Sequence, residues 1–235
     1  SFDLSNDINE PLTGRKWEFL LSPLATEELV SHSNLLLESR LLHHRLIYGM
    51  YPEPAMRTKI SKRVVKELAK SYLYKDLFAY DGIRNSEKLQ KLLKALALQL
   101  GAEVSYQELG QLAQMDSKTV ERYLDLLEQS FIIFRLNSFS KNLRTELKKA
   151  KKDYFWDNGI RNAVLGNFYP IDKRTDHGAL WENFIVSERY KYLQNNDQDA
   201  ELYFWRTHLQ QEIDMLEVTH DQIKAFEIKW NPKSK

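Results

Sequence analysis

The stretch from Glu212 to Lys229 reads EIDMLEVTHDQIKAFEIK, and it predicts the terminal β-hairpin on which the fold and the candidate site depend. Two strand-like runs, Glu212–Val218 and Ile223–Lys229, flank a polar turn at His220-Asp221. In an antiparallel pair with an even-length loop, the numbers of opposed residues add to a constant. We therefore expect Asp214 opposite Glu227 and Glu212 opposite Lys229, with all four side chains on one face of the hairpin.

Two carboxylates directly opposed in a hairpin repel each other, because their Cβ atoms lie about 5 Å apart. A divalent cation would relieve this repulsion, since Asp and Glu oxygens are its usual protein ligands. The pattern therefore predicts Asp214 and Glu227 as ligands of Mg²⁺ or Mn²⁺, with Lys229 placed to orient a water molecule or stabilise charge on a phosphate. The alternative interpretation is a solvated edge hairpin in which Lys229 only screens the two acids.

Upstream of the hairpin, the sequence predicts a helix and a further strand. Apolar residues recur at helical spacing over Ala179–Leu193, with Glu182 in the first turn, and Leu202–Arg206 has strand character. The last sixty or so residues therefore follow the order helix, strand, strand, strand.

The middle of the chain predicts three helices followed by two strands, which is the order of a winged helix-turn-helix. Gly101 is placed to end the first helix, and Ser105 and Asp116 to cap the next two. The predicted elements are helices over Lys88–Leu100, from Ser105 onward and over Ser117–Gln129, then strands over Phe131–Leu136 and Asp153–Trp156.

DNA binding by this module depends on local charge, because the whole chain has a formal net charge of only +1. The third helix holds only Lys118 and Arg122 against four acids, which suits a phosphate-lined groove poorly. The connector between the two strands is basic and could position a nucleic-acid backbone. Its cations are Lys141, Arg144, Lys148, Lys149, Lys151 and Lys152. The alternative is a solvated loop on a purely architectural winged helix.

The N-terminal part of the chain predicts a short strand and two long helical segments. Trp17–Leu21 has strand character before Ser22-Pro23, and helical spacing extends from Thr26 to about Arg45 and from Arg57 to about Tyr80. The chain starts at Ser1 without a signal peptide and has no run of 18 apolar residues, so we expect no membrane span and a cytoplasmic location. The absence of cysteine excludes disulfides and thiolate metal sites.

The predicted site residues and several other motifs of the chain carry a family resemblance. Glu182, Asp214 and Glu227-Ile228-Lys229, in the order α-β-β-β, resemble the PD-(D/E)xK nuclease superfamily, in which the equivalent acids hold Mg²⁺ and the lysine assists catalysis. Further motifs resemble the C-terminal two-thirds of prokaryotic AAA+-type ATPases that carry a conserved C-terminal domain of unknown function. These motifs are Leu12–Arg15, Tyr48–Pro52, Ser71–Asp76, Asp157–Asn162 and Leu180–Phe184.

The resemblance implies an ATPase module upstream, whose phosphate-binding loop is absent from this sequence. ATP is therefore expected as a cofactor of the full-length protein only, and Arg15 is a candidate to approach its γ-phosphate, or else a surface ion-pairing residue. We expect an α+β, mainly helical chain with a nuclease-like core that is incomplete at its C-terminus. The predicted division is 1–52 tail of the ATPase module, 53–85 helical linker, 86–157 winged helix and 158–235 nuclease-like domain.

Two function classes follow from these expectations. The first is a DNA-processing or DNA-binding fragment of a AAA+ ATPase, acting by Mg²⁺-dependent phosphodiester hydrolysis through Asp214, Glu227, Lys229 and Glu182. The second is a non-catalytic module that couples the ATPase to a protein partner.

Overall fold

The computed structural model describes residues 20–71, 86–140, 151–207, 209 and 211–231, and about 54% of these are helical. The chain is of the α+β class, with nine α-helices and five strands among the described residues. The helices are α1 (Thr26–His32), α2 (Leu35–Tyr48), α3 (Pro52–Met56), α4 (Ser61–Ser71), α5 (Ser86–Leu98), α6 (Tyr106–Ala113), α7 (Ser117–Gln129), α8 (Asn158–Leu165) and α9 (His177–Asn195). The strands are β1 (Ile133–Ser138), β2 (Lys151–Phe155), β3 (Glu201–Arg206), β4 (Glu212–Val218) and β5 (Ile223–Phe226).

The predicted caps of the central helices are confirmed. The Ser105 hydroxyl accepts a hydrogen bond from the Glu108 amide at 3.3 Å, and the Asp116 carboxylate accepts one from the Thr119 amide at 2.9 Å. Gly101, just after α5, has φ +72°, which glycine adopts without a steric penalty. These short-range contacts explain why α5, α6 and α7 begin and end close to the predicted residues.

The N-terminal helical segment differs from its prediction. The expected continuous helix from Thr26 is divided into α1 and α2, because Asn34 accepts a hydrogen bond from the Leu37 amide at 2.9 Å and starts a new helix. Of the strand predicted over 17–21, Leu20 and Leu21 are not in a strand, and residues 17–19 lie outside the described residues. The helix predicted from Arg57 begins at Ser61.

The five strands form one mixed sheet in the order β2-β1-β3-β4-β5. β1 pairs with β2 in the antiparallel sense and with β3 in the parallel sense, so the sheet runs from the strands after α7 into those after α9. The residues before and after the predicted domain boundary at residue 157 therefore contribute strands to the same sheet. That boundary stays a prediction. β3, β4 and β5 pair antiparallel in chain order.

Two hydrophobic cores lie on either side of this arrangement. The larger one is built by the helices and includes Leu46, Leu92 and Leu124. The smaller one lies on the sheet and is formed by Phe134, Leu136, Tyr154, Trp156, Val186, Phe204 and Met215. Because Val186 belongs to α9, this helix packs against the sheet. The side chains on the same face of α9 are therefore directed toward the strands.

Candidate functional site

The predicted register of the terminal hairpin is confirmed over its ladder. Met215 pairs with Phe226 and Val218 with Ile223, which is the register expected from the turn. The ladder stops at Phe226, three residues earlier than predicted, so β5 does not extend to Lys229. Beyond it, the Ile228 amide donates a hydrogen bond to the Asp214 carboxylate at 2.7 Å. Asp214 thus holds the segment that carries Glu227 next to the first residues of β4.

Glu182 approaches the same region from helix α9. Its Oε1 accepts hydrogen bonds from the Tyr154 hydroxyl at 2.7 Å and from the Lys152 ammonium at 3.4 Å. A Cβ on Gly101 would lie 3.0 Å from this oxygen, so the glycine after α5 also leaves room for the carboxylate. Two residues of β2 therefore position Glu182.

Lys152 lies at the centre of these acids and is only 2% exposed. Its ammonium forms ion pairs with Glu182 and Glu212 and lies 5.5 Å from the centre of the Phe204 ring. The interpretation of Lys152 as an exposed cation of the connector is therefore wrong, because the residue belongs to β2 and its side chain is buried against two carboxylates. We call Lys152, Glu182, Glu212, Asp214 and Glu227 the carboxylate cluster.

The remaining predicted nucleic-acid contacts divide into two groups. Lys151 is the first residue of β2 and is partly exposed. The others lie outside the described residues, as does the candidate nucleotide contact Arg15. They are Lys141, Arg144, Lys148 and Lys149.

The carboxylate cluster holds four acids and one buried ammonium, and burial is the first cause of the pKa shifts of Glu182 and Asp214. Burial raises the pKa of Glu182, and Asp214 adds to the shift while Lys152 opposes it. Burial also raises the pKa of Asp214, with Glu227 and Glu212 contributing in the same direction and the Ile228 amide opposing them. Burial alone would lower the pKa of Lys152, but the surrounding acids raise it overall. The single buried ammonium does not balance the acids that face it.

Glu227 and Lys229 form the exposed rim of the cluster. Their side chains are paired at 3.4 Å and are 55% and 44% exposed. An ion pair this exposed contributes little to stability, since water screens both charges. Both groups are therefore accessible to a molecule in solvent, whereas Lys152 and Glu182 are not.

The fit to a divalent cation follows from these positions. Within the described residues, no group of three or more His, Asp or Glu side chains is arranged to hold a metal ion. Mg²⁺ commonly takes only one or two carboxylates from the protein and completes its shell with water and substrate phosphate. Asp214 and Glu227 are close enough for Glu227 to raise the pKa of Asp214. They fit a cation that arrives with a phosphate, and do not form a preformed cage.

A second charged cluster lies at the N-terminal end of α9 and has a different character. Asp176 accepts hydrogen bonds from Arg161 at 2.5 Å and from Arg174 at 2.8 Å, and Arg161 also donates to the Ala97 carbonyl at 2.8 Å. Burial alone would raise the pKa of Asp176, but the two guanidinium groups lower it overall. We call Arg161, Arg174 and Asp176 the arginine cluster.

The motif Asp157–Asn162, which the family resemblance singled out, belongs to this structural framework. Asp157 is fully enclosed and accepts from the Met50 amide at 2.6 Å and from the Ile160 amide at 3.0 Å. Gly49 has φ +78°, and a Cβ there would lie 2.0 Å from an oxygen of Asp157. The motif thus joins the start of α8 to the end of α2.

The acids of α7 also have a structural role. Arg135 of β1 contacts Asp125 at 2.6 Å and also binds Glu128. Two of the four acids counted against DNA binding by this helix are therefore directed toward the sheet, and Lys118 stays on the exposed surface.

Sequence reasoning missed the roles of Lys152 and Tyr154. Both lie in β2 and are two residues apart, so the alternation of a strand places them on one face. The alternation is visible in the sequence, but the basic charge of the connector favours the interpretation of Lys152 as a nucleic-acid contact.

The fold and the carboxylate cluster define an α+β chain whose terminal hairpin and longest described helix bring acidic side chains together around Lys152 on a mixed sheet. Residues 39–170 match the family model described as Domain of unknown function (DUF8612). This match covers more than half of the chain, so the chain belongs to that family. Residues 177–235 match a second model, described as Domain of unknown function (DUF4143).

Similar proteins occur in bacteria and archaea. The chain is 24% identical to an uncharacterized protein of Haemophilus influenzae over 79% of this chain and 48% of the relative. It is 27% identical to an uncharacterized protein of Mycobacterium tuberculosis over 68% and 36% of the two chains, and 24% identical to one of Methanocaldococcus jannaschii over 80% and 48%. The chain thus spans about half or less of the length of these relatives. No solved structure matches it significantly. Among the described residues, no helix has the length and apolar character needed to cross a membrane.

Proposed function

We propose that this chain is the C-terminal portion of a prokaryotic AAA+-type ATPase, and that its sheet carries a nuclease-like site that acts on or binds DNA. The observation that carries the proposal is the carboxylate cluster. Asp214 of β4 adds to the raised pKa of the buried Glu182 of α9, and Glu227, which follows β5, adds to that of Asp214. This is the set of acids that the resemblance to PD-(D/E)xK nucleases singled out.

The order and pairing of the elements support the same proposal. Helix α9 is followed by three antiparallel strands, as a nuclease-like α-β-β-β core requires. Upstream, α5, α6 and α7 are followed by the antiparallel pair β1–β2, as in a winged helix. Such a module would place a nucleic acid near the sheet, and the length of the relatives leaves room for an ATPase module elsewhere in the full protein.

The proposed chemistry assigns a role to each residue of the cluster. Bound Mg²⁺ would stabilise charge on a phosphate and lower the pKa of a water molecule. Asp214 and Glu227 would be its protein ligands. Lys229, exposed beside Glu227, is placed to orient the attacking water, and Glu182, fixed by Tyr154 and Lys152, supports the acid pair.

Cleavage of plasmid and junction DNA with Mg²⁺ or Mn²⁺ tests the catalytic proposal. We expect the wild-type chain to cut and the double variant Asp214→Ala/Lys229→Ala to be inactive, because it removes one ligand and the water-orienting group. Asp221→Asn, in the exposed hairpin turn, is the matched control and is expected to keep full activity. Cutting by the double variant at the wild-type rate would refute the assignment.

A specific observation favours the second candidate, a non-catalytic module that couples the ATPase to a protein partner. Lys152 already neutralises part of the negative charge of Glu182 and Glu212, as expected for a nuclease-like core whose metal site has been lost. Calorimetric titration with Mn²⁺ separates the two functions. Binding that disappears in Asp214→Asn supports the nuclease-like site, and an absence of Mn²⁺ binding in the full-length protein supports the coupling module.

A further inference from the structure

Helix α4 carries a concentration of positive charge that the carboxylate cluster does not explain. Its sequence, SKRVVKELAKS, contains Lys62, Arg63, Lys66 and Lys70 against a single acid, Glu67. Lys59 precedes it in the adjoining turn. All five cations are exposed, and we call them the α4 basic face.

The buried side of α4 fixes the orientation of the α4 basic face. Ser61, Val65 and Ala69 are buried, so the helix cannot rotate without exposing apolar surface. At 100° per residue the four cations of the helix itself lie within roughly 100° of arc, next to the side that carries these buried residues. The α4 basic face is therefore a permanent feature of the surface.

The cations are arranged as a line. Lys62, Lys66 and Lys70 recur every fourth residue, which places them about 6 Å apart along the helix axis. Like charges at this spacing oppose helix formation. No carboxylate of the described residues forms an ion pair with any of the five cations, whereas the neighbouring Arg57 pairs with Glu53 at 3.0 Å. Among the described residues no acid relieves this repulsion, which favours the binding of an anionic partner.

Two of the ammonium groups converge on one ring. Lys62 Nζ and Lys66 Nζ lie 5.7 Å and 5.9 Å from the centre of the Phe168 ring, which itself stacks on Tyr48. Cation–π contacts of this kind hold lysine side chains in place without neutralising them. The pair is thus preorganised to meet an anion.

We propose that the α4 basic face binds the phosphate backbone of double-stranded DNA without regard to sequence. A line of point charges at a regular spacing suits a polyanion with regularly spaced charges, and lysine binds phosphate as a point charge. The inference rests on the proposed function only for the choice of DNA as the polyanion.

The test measures binding of the 235-residue chain to a random-sequence duplex by fluorescence anisotropy, in EDTA and over a range of salt concentrations. The variant Lys62→Gln/Lys66→Gln/Lys70→Gln removes three phosphate contacts. Since each contact contributes about 0.9 to the slope of log K against log salt, we expect the slope to fall in magnitude by about 2.7, and the affinity at 0.1 M salt to fall by roughly a hundredfold or more.

Two matched variants complete the experiment. Arg40→Gln/Lys94→Gln/Lys173→Gln removes the same charge from three exposed positions outside α4 and is expected to keep the wild-type slope. Lys62→Arg/Lys66→Arg/Lys70→Arg keeps the charge and is expected to keep the binding. If the first triple variant fails to fold, Lys70→Gln alone is expected to reduce the slope by about 0.9.

Three outcomes would overturn the proposal: equal losses in the two glutamine triples, an unchanged slope after substitution of α4, or competition by polyglutamate as strong as that by DNA at equal charge. The last outcome would indicate an acidic protein partner. Because EDTA prevents cleavage, a failure of the nuclease proposal leaves this result unaffected. Conversely, metal-dependent cutting together with unchanged DNA binding by the α4 variants would refute only the proposal for the α4 basic face.

Discussion

The two charged clusters beside α9 place their carboxylates in opposite electrostatic surroundings. In the arginine cluster, Asp176 is shared by two guanidinium groups, and its pKa is lowered overall. In the carboxylate cluster, Glu182 and Asp214 face more acids than cations, and their pKa values are raised. A carboxylate that is fully paired by cations is expected where a cluster maintains the fold, and carboxylates with too few cations are expected where a ligand completes the site. The comparison therefore separates a structural motif from a candidate site.

The largest expected effect comes from removing the carboxylate of the arginine cluster. Asp176→Asn leaves Arg161 and Arg174 without their counter-charge, and loss of one partner of a buried pair costs about 3–5 kcal/mol. The pKa of Asp176 is lowered in the folded chain, so its contribution is present above the ordinary carboxyl pKa and is lost as the pH falls below it. Urea unfolding should therefore show a large penalty at pH 7 and a smaller one at pH 3. Asp172→Asn, at an exposed position nearby, is the control, and an equal effect of both variants would contradict the comparison.

A smaller effect of opposite sign is expected at Asp153 in β2. Neither of its oxygens meets a hydrogen-bond donor among the described residues, and burial, opposed by Arg135, raises its pKa to about 7. Its proton therefore stabilises the folded chain at low pH, and that stability is lost as the pH rises from about 4 through 7. Asp153→Asn should raise the free energy of unfolding at pH 8 by about 1–3 kcal/mol, after allowing for the buried amide, and not at pH 4.

The exposed Asp199→Asn serves as the matched control for Asp153→Asn. Measured by urea unfolding at pH 4, 6 and 8, it should change stability by less than about 0.5 kcal/mol at every pH. If Asp153→Asn destabilised the chain at pH 8, burial of an unpartnered carboxylate would not be the reason for the raised pKa of Asp153.

The smallest effect is expected within the carboxylate cluster itself. Asp214→Asn keeps an acceptor for the Ile228 amide and removes a charge that Glu182, Glu212 and Glu227 oppose. Because water reaches part of the cluster, we expect a gain of only about 1 kcal/mol at pH 7.5, decreasing as the pH falls toward the ordinary carboxyl pKa.

Thermal unfolding with and without Mn²⁺ makes this prediction sharper. The wild-type chain should be stabilised by the ion, since a ligand that binds only the folded state raises the unfolding temperature. Asp214→Asn should lose that response, and Asp221→Asn should retain it. A response to Mn²⁺ that is the same in all three chains would place the ion elsewhere.

Much of the helical part of the fold follows from local sequence. Ser105 and Asp116 cap helices through contacts with residues three positions away, and Gly101 takes a positive φ in the turn after α5. Such contacts are independent of the rest of the chain, so they could be predicted. The register of β4 and β5 was also predictable, because a short turn and side-chain alternation determine it.

The break between α1 and α2 and the end of the hairpin were predicted less well. Helical spacing continues through Asn34, and the sequence pattern does not show that its side chain caps a new helix. Likewise, strand character continues to Lys229, but the Asp214 carboxylate binds the Ile228 amide and the ladder ends at Phe226.

The sequence by itself determined the helix caps, the alternation of the strands and the identity of the acids in the terminal hairpin, because each depends on residues that are close together in the chain. Only the tertiary structure decided that β1 and β3 join two halves into one sheet, and that Lys152 lies buried between Glu182 and Glu212. The physical reason is distance along the chain. A lysine stays solvated unless carboxylates from distant elements pair with it, and the residues next to Lys152 in the sequence do not indicate such pairing.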